Sequence, residues 1–256
     1  MKYLVLFFII SLFAINTCNA AVLPVFGADL VAKNKYVWRG LVFNDEYVLW
    51  PDIWINWYGF TLTGWGSIDL TDVKDKQFAI TDLAYYFEYA HNFGPISSTI
   101  GYVHYTYPGS AYGPASVATG EIYGKVGADV KLSEIGLNIN YDIKEAKGFY
   151  ISLGINKEFS FGSFAPKIGL SLGYADKKHN LYYFGLEKAG LTDFNSSFIV
   201  TYTPPPPLGN FFTIAGDLNY TIVINEDLSN IVKSYSTDKN FHFGLGLNFY
   251  FPAGGE

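Results

Sequence analysis

The chain has 256 residues, a formal net charge of −6 and one cysteine; 19% of its residues are aromatic and only 16% are charged. The acidic balance excludes a basic nucleic-acid-binding face, and a lone Cys18 excludes a disulfide framework or a cysteine metal site. Half of the residues are hydrophobic, yet after the N-terminus no run approaches the roughly 18 apolar residues of a membrane-crossing helix, so the hydrophobicity is carried by many short amphipathic segments, which favours strands.

In chain order, residues 1–20 read as a secretory signal. Lys2 supplies the positive charge, Leu4 to Ile15 an almost unbroken apolar run, and Asn19-Ala20 a small, polar exit. That pattern predicts export and cleavage after Ala20. Asn16 and Thr17 before Cys18 do not form a lipid-attachment box, so no lipid anchor is expected. Loss of Lys2 would take the charge from −6 to −7 and leave about 236 residues, 21–256, as one barrel domain.

A strand in a bilayer-spanning barrel alternates apolar residues toward lipid with polar residues toward the lumen. That alternation predicts strands near 26–39, 49–57, 60–70, 78–91, 97–107, 118–131, 136–144, 149–158, 166–175, 194–203, 211–223 and 240–251. In the first, Phe26, Ala28, Leu30, Ala32, Tyr36 and Trp38 share the outer face, and Asp29, Lys33, Lys35 and Arg39 the inner one. The fifth is rich in tyrosine, and its inner set is read as Tyr102, His104 and Thr106. The seventh sets Leu137, Ile139, Tyr141 and Ile143 against Asn138, Asn140, Asp142 and Lys144. The last sets Phe241, Phe243, Leu245, Leu247, Phe249 and Phe251 against His242, Gly244, Gly246 and Asn248.

Predicted connections alternate between short turns (58–59, 92–96, 132–135, 160–164, 204–210) and mostly longer loops (40–48, 71–77, 108–117, 176–193, 224–239). Short turns are periplasmic in outer-membrane barrels, which puts both termini there. The fold class expected is all-β: a transmembrane, antiparallel, up-and-down barrel of about twelve strands, with ten and fourteen as neighbouring even counts. A soluble barrel with an apolar interior would show the same period. Phe and Tyr on the apolar face, and Asn, Ser, Thr and Gly on the polar face, favour the membrane.

The inner faces supply the candidate pore-lining and binding residues: Arg39, Asp52, Asp69, Asp82, Glu88, Glu121 and Lys125. Arg39 is the only arginine, and a lone guanidinium in a narrow lumen must be paired or wet. Asp29, Asp52 and Asp69 on neighbouring strands are its expected partners. The inner set counts ten acids (Asp29, Asp52, Asp69, Asp82, Glu88, Glu121, Asp129, Asp142, Glu158, Asp217) against six bases (Lys33, Lys35, Arg39, Lys125, Lys144, Lys167). An open pore so lined weakly favours cations; the same mixture could form a salt-bridged plug.

Pro204 to Pro207 read as a stiff polyproline rod that blocks strand slippage, or as a docking site for a periplasmic protein. His91, His104, His179 and His242 are too dispersed for a metal motif. His104 beside Glu88 or Thr106 is the one inner cluster that could suggest catalysis, and no serine stands at a catalytic spacing. No enzyme activity, metal or cofactor is expected.

Lys35-Tyr36-Val37-Trp38-Arg39-Gly40, followed by Asp45-Glu46 and by Gly59, Gly64, Trp65 and Gly66, resembles the opening of the TorF-like (Gcw_chp) porin family. Tyr182-Tyr183-Phe184-Gly185, Gly190-Leu191 and Phe243-Gly244-Leu245-Gly246-Leu247 are similar to the MltA-interacting protein (MipA/OmpV) family. The closing strand looks like an outer-membrane assembly signal, although Pro252 to Glu256 run past its final aromatic. Both resemblances imply a barrel in the bacterial outer membrane and no catalytic step. The function expected is passive diffusion of small hydrophilic solutes through a charged lumen. The alternative is a non-conducting scaffold barrel that engages periplasmic cell-wall enzymes.

Overall fold

The computed structural model describes residues 23–73, 77–109, 117–131 and 133–252. The signal predicted over 1–20 and the tail after Pro252 lie outside the described residues. The strands are β1 (Val25–Lys33), β2 (Tyr36–Trp38), β3 (Leu41–Asn44), β4 (Val48–Trp57), β5 (Phe60–Asp69), β6 (Ile80–Phe93) and β7 (Ile96–Thr106), then β8 (Thr119–Asp129), β9 (Glu134–Asp142), β10 (Phe149–Glu158), β11 (Phe164–Ala175), β12 (Gly190–Tyr202), β13 (Phe212–Val223) and β14 (Lys239–Pro252). Two helices, α1 (Lys177–Phe184) and α2 (Glu226–Lys233), interrupt the last two long loops.

Twelve strands, β1 and β4 to β14, close into one antiparallel barrel in which β1 pairs with both β14 and β4. Closure leaves no sheet edge, so the backbone groups of every barrel strand find partners within the sheet. The apolar face points outward: Ile53 is 69% exposed and Leu245 62%, whereas Asp69, Asp82, Glu121, Asp142 and Asp193 are buried on the inner side. That polarity is the reverse of a soluble barrel's and suits hydrocarbon outside.

The short connections follow from turn chemistry. Between β4 and β5, Tyr58 at φ +51° and Gly59 at φ +84° form the two-residue arrangement of a type I′ hairpin. Longer connections gather at the opposite end. There Asp176 caps α1 by accepting from the His179 N–H at 2.8 Å, and Asn225 caps α2 by accepting from the Leu228 N–H at 3.3 Å. Leu228 and Val232, one turn apart, give α2 a buried stripe.

Three expectations are corrected. The first strand ends at Lys33, not 39, and Tyr36 to Asn44 leave the wall as a separate hairpin. On β7, His104 pairs with the outward Tyr85 and Tyr102 with the outward Phe87, so Tyr102, His104 and Thr106 face out. Val103 and Tyr105 face in, because Val103 packs with Ala84 and Tyr123 in a small apolar cluster on the lumen side. The third correction is that Pro204 to Pro207 do not extend as a rod. Bonds from Thr203 N–H to Ser163 O and from Tyr250 N–H to Phe211 O hold both ends of this connection to the barrel, and the chain turns through a 3₁₀ segment, Leu208–Asn210.

The outward face generates a stability test. Leu245→Arg, central on β14, is expected to cost about 2–4 kcal/mol in urea unfolding titrations in lipid vesicles. Ser152→Ala, on the inner face, is expected to change stability by less than about 0.5 kcal/mol. Equal effects would contradict the assigned polarity.

Candidate functional site: the lumen and the lid at its long-loop mouth

The hairpin β2–β3 turns at Arg39 and Gly40, between the paired Trp38 and Leu41. Both turn residues have positive φ, +50° and +84°. For arginine that conformation costs about 1–2 kcal/mol, so the surroundings must hold it. They do so across the lumen. Arg39 Nη1 and Nη2 donate to the two carboxylate oxygens of Glu121 on β8, each at 2.7 Å. Going round the barrel from β4, where the hairpin rejoins the wall, β8 is the fourth strand on. The guanidinium also lies between two rings, 4.1 Å from the centroid of Trp38 and 4.4 Å from that of Tyr150. Only 8% of the Arg39 side chain and 1% of the Glu121 side chain are exposed.

Two further bonds moor the hairpin. Tyr36 Oη donates to Asp82 on β6 at 3.0 Å, and Asn44 Nδ2 donates to Asp69 on β5 at 3.1 Å. Above it, Leu41 packs with Tyr183 and Phe184 of α1, Leu228 and Val232 of α2, Ala146 and Val223. Hairpin and helices together make a lid with its own apolar core. The lid covers the inner rim all round: Val48, Asp69, Asp82, Glu121, Asp142, Ala175, Asp193 and Val223, from eight different barrel strands or their ends, are buried.

Electrostatics tie the lid together. Burial works against the Arg39 charge, but Glu121 outweighs it and holds the guanidinium protonated. His179 on α1 is buried, with its Nε2 3.4 Å from Arg39 Nη1 and its ring packed on Tyr183, Tyr150 and Trp38. Burial first, and the Arg39 charge second, push its pKa down to about 3, so it is neutral at physiological pH.

Below the lid the inner face is polar. Lys125 pairs with Glu88 at 2.9 Å, and Lys33 pairs with Asp217. Asp29 and Asp52 are register partners on β1 and β4. At the short-turn end a cavity of about 540 Å³ opens among Ser97, Gly127, Asp129, Glu134, Asn156 and Lys167.

The structure therefore sorts the seven candidates into two groups. Arg39, Asp69, Asp82 and Glu121 hold the lid; Asp52, Glu88 and Lys125 lie on the wall beneath it. Arg39 does not pair with Asp29, Asp52 or Asp69, because the chain leaves the wall at residue 34 and carries the guanidinium to the far side. Lys144 is not a lining residue: it is exposed beyond the end of β9, with its Nζ 3.5 Å from His104 Nδ1. With His104 outside, the suggested catalytic cluster with Glu88 does not exist. Sequence reasoning missed His179, Tyr150 and Asp193, which accepts from Tyr150 Oη at 3.1 Å. One signal was present: Asp176 three residues before His179, with Gly185 after it, marks a capped helix.

No protein-family model matches the chain, and no curated protein matches it in sequence. Neither the TorF-like nor the MipA/OmpV resemblance is thus confirmed. Solved structures do match. A NanC porin structure in a rhombohedral crystal form aligns with a TM-score of 0.58 at 13% identity, over 87% of this chain and 98% of that one. A KdgM porin aligns at 0.55 and 13%, over 88% and 99%. A KdgM porin in complex with disordered oligogalacturonate aligns at 0.52 and 12%, over 89% and 99%. At such identities the likeness is one of fold: this chain has the barrel fold of outer-membrane porins.

Two predictions follow from the lid. Arg39→Ala strands a buried carboxylate and should destabilise the lid by about 3–5 kcal/mol, while Arg39→Ala with Glu121→Ala should cost less than Arg39→Ala alone. Protease sensitivity of the 34–47 segment reads this out; additive losses would sink the pairing. The second concerns pH. His179 is neutral when folded and has a pKa of 6.5 when unfolded, so the unfolded lid binds more protons between those values. Its contribution is complete above about 6.5 and is lost as pH falls toward about 3. Lid protection should therefore drop on acidification, and less steeply in His179→Gln.

Proposed function

We propose that the chain is a porin of the bacterial outer membrane, exported with a cleaved signal, through which small hydrophilic solutes diffuse. The observation that carries this reading is the polar, charged lumen, open in a cavity at the short-turn end, inside a barrel whose outer face is apolar. The hairpin that crosses the opposite mouth sets the passage. It is anchored by polar contacts and by the apolar packing around Leu41 rather than by sheet pairing with the far wall, and its displacement opens the lumen. Asp52, Glu88 and Lys125 then line the path. Acids outnumber bases, which favours cations weakly. The oligogalacturonate of the KdgM complex is anionic, so that ligand does not suit this lining. The reading includes no enzyme activity.

Planar-bilayer recording tests it. The wild type is expected to give small, weakly cation-selective conductance. Replacing residues 36–44 by a short Gly-Ser turn should raise it severalfold. Silence from both proteins, with folded barrels confirmed by heat-modifiable migration, would favour instead the scaffold reading, with Pro204–Pro207 as the place to seek a periplasmic partner.

A further inference from the structure

Beneath the lid the two halves of the lumen wall differ in chemistry. One row of register partners runs across β14, β1, β4, β5 and β6 and reads Tyr250, Gly27, Trp54, Thr63, Tyr86. Rings and small residues alternate; the Tyr250 and Trp54 rings meet edge to face across Gly27, 6.3 Å between centroids, and Tyr86 stands two strands further on. A Cβ on Gly27 would lie 2.1 Å from the Trp54 indole. The indole therefore lies against the bare backbone of β1 on the inner face of the barrel. Trp54 and Tyr86 are half-buried, and Tyr250 is exposed. Tyr123 makes the contrast: its ring lies against Gly101 in the same way, but Lys125 stands 4.9 Å from its centroid and the residue is buried.

The half built by β9 to β13 presents mainly amides, hydroxyls and glycine, with Asn138, Ser152, Ser171, Ser197 and Asn219 facing in beside the apolar Ile199 and the charged Asp217 and Lys167. Below Tyr150 no aromatic ring points inward from these strands. Asp29 and Asp52 sit one register row above Gly27 and Trp54 and place a pair of carboxyl groups beside the rings.

We propose that this two-faced lumen is a binding track for neutral saccharides. A pyranose has a C–H face that packs on an aromatic ring and hydroxyls around its edge that pair with amides and serines. The carboxylates beside Trp54 repel acidic sugars. This deepens the porin reading and rests on it for the direction of travel, but binding is measurable without transport.

Calorimetric titration of the folded full chain in detergent, with maltotriose as probe, is the test, alongside maltotriose block of current through the hairpin-shortened variant. Saturable binding is expected for maltotriose and none for trigalacturonate. Trp54→Ala should weaken binding by about five- to tenfold. Gly27→Ala, which pushes the indole off the wall, should do so too. Heat-modifiable migration shows that each variant is folded. Absence of maltotriose binding, equal binding of trigalacturonate, binding of choline in its place, or unchanged affinity in folded Trp54→Ala would each overturn the proposal. Failure of conductance alone overturns the porin reading and leaves the titration to decide the saccharide track.

Discussion

Hydrocarbon offers no partner to a backbone N–H or C=O, so a sheet that crosses it must return to its own first strand. The pairing of β1 with β14 meets that requirement, and the rest of the molecule follows from it. Closure separates an outside from an inside. The period of two along each strand then assigns every residue to one or the other. Outward positions can be apolar without limit, as Ile53, Leu62, Ile100, Leu153 and Leu245 are. Inward positions have to be satisfied by one another, by water or by something folded into the opening.

At the long-loop mouth the filling is the hairpin. Its energetics rest on an arginine that is costly in three ways: its backbone conformation, its burial and the burial of its partner. A fork of two bonds to Glu121 and stacking between Trp38 and Tyr150 offset those costs together. Lysine could supply the charge but not the planar fork or the stacking. The turn geometry is part of the same device, since Arg39 occupies the first turn position of the hairpin at φ +50°. Gly40 follows with φ +84°, close to Asp193 and Val223. The apolar core above, where α1 and α2 meet Leu41, keeps water from the ion pair and so strengthens it.

Much of this was legible from period alone. The seventh strand as far as Asp142, and the last, were read with the correct faces because the bilayer imposes one rule on the whole outer surface. The reading failed where a second apolar environment competed. On β7, Val103 and Tyr105 are inward because the underside of the lid needs them, and His104 is outward at the rim, so the usual contrast between faces inverts. Tyr36 and Trp38 were placed in an outer aromatic girdle. Burial beneath a lid and exposure at a membrane interface select the same side chains, and the parity of β1 happens to continue through residue 39. Only the loss of strand pairing after Lys33 separates the two, and pairing is not visible in one sequence. The partner of Arg39 was out of reach for the same reason: Glu121 is 82 residues away.

The mouths of the barrel are thus chemically unequal. One is closed by a hairpin held by the buried guanidinium of Arg39, by Tyr36 and Asn44, and by packing against the helix that carries the neutral His179. The other is an open, charged cavity. Between them the wall carries paired charges, Lys125 with Glu88 and Lys33 with Asp217, beside the register partners Asp29 and Asp52. To an uncharged solute such a wall presents shape, rings and amides. Discrimination among uncharged solutes below the lid then falls on packing and hydrogen bonding, while the Arg39–Glu121 pair governs whether the lid stays in place. A substitution that weakens Arg39 should therefore change how often the lumen is reached far more than which uncharged solute it prefers.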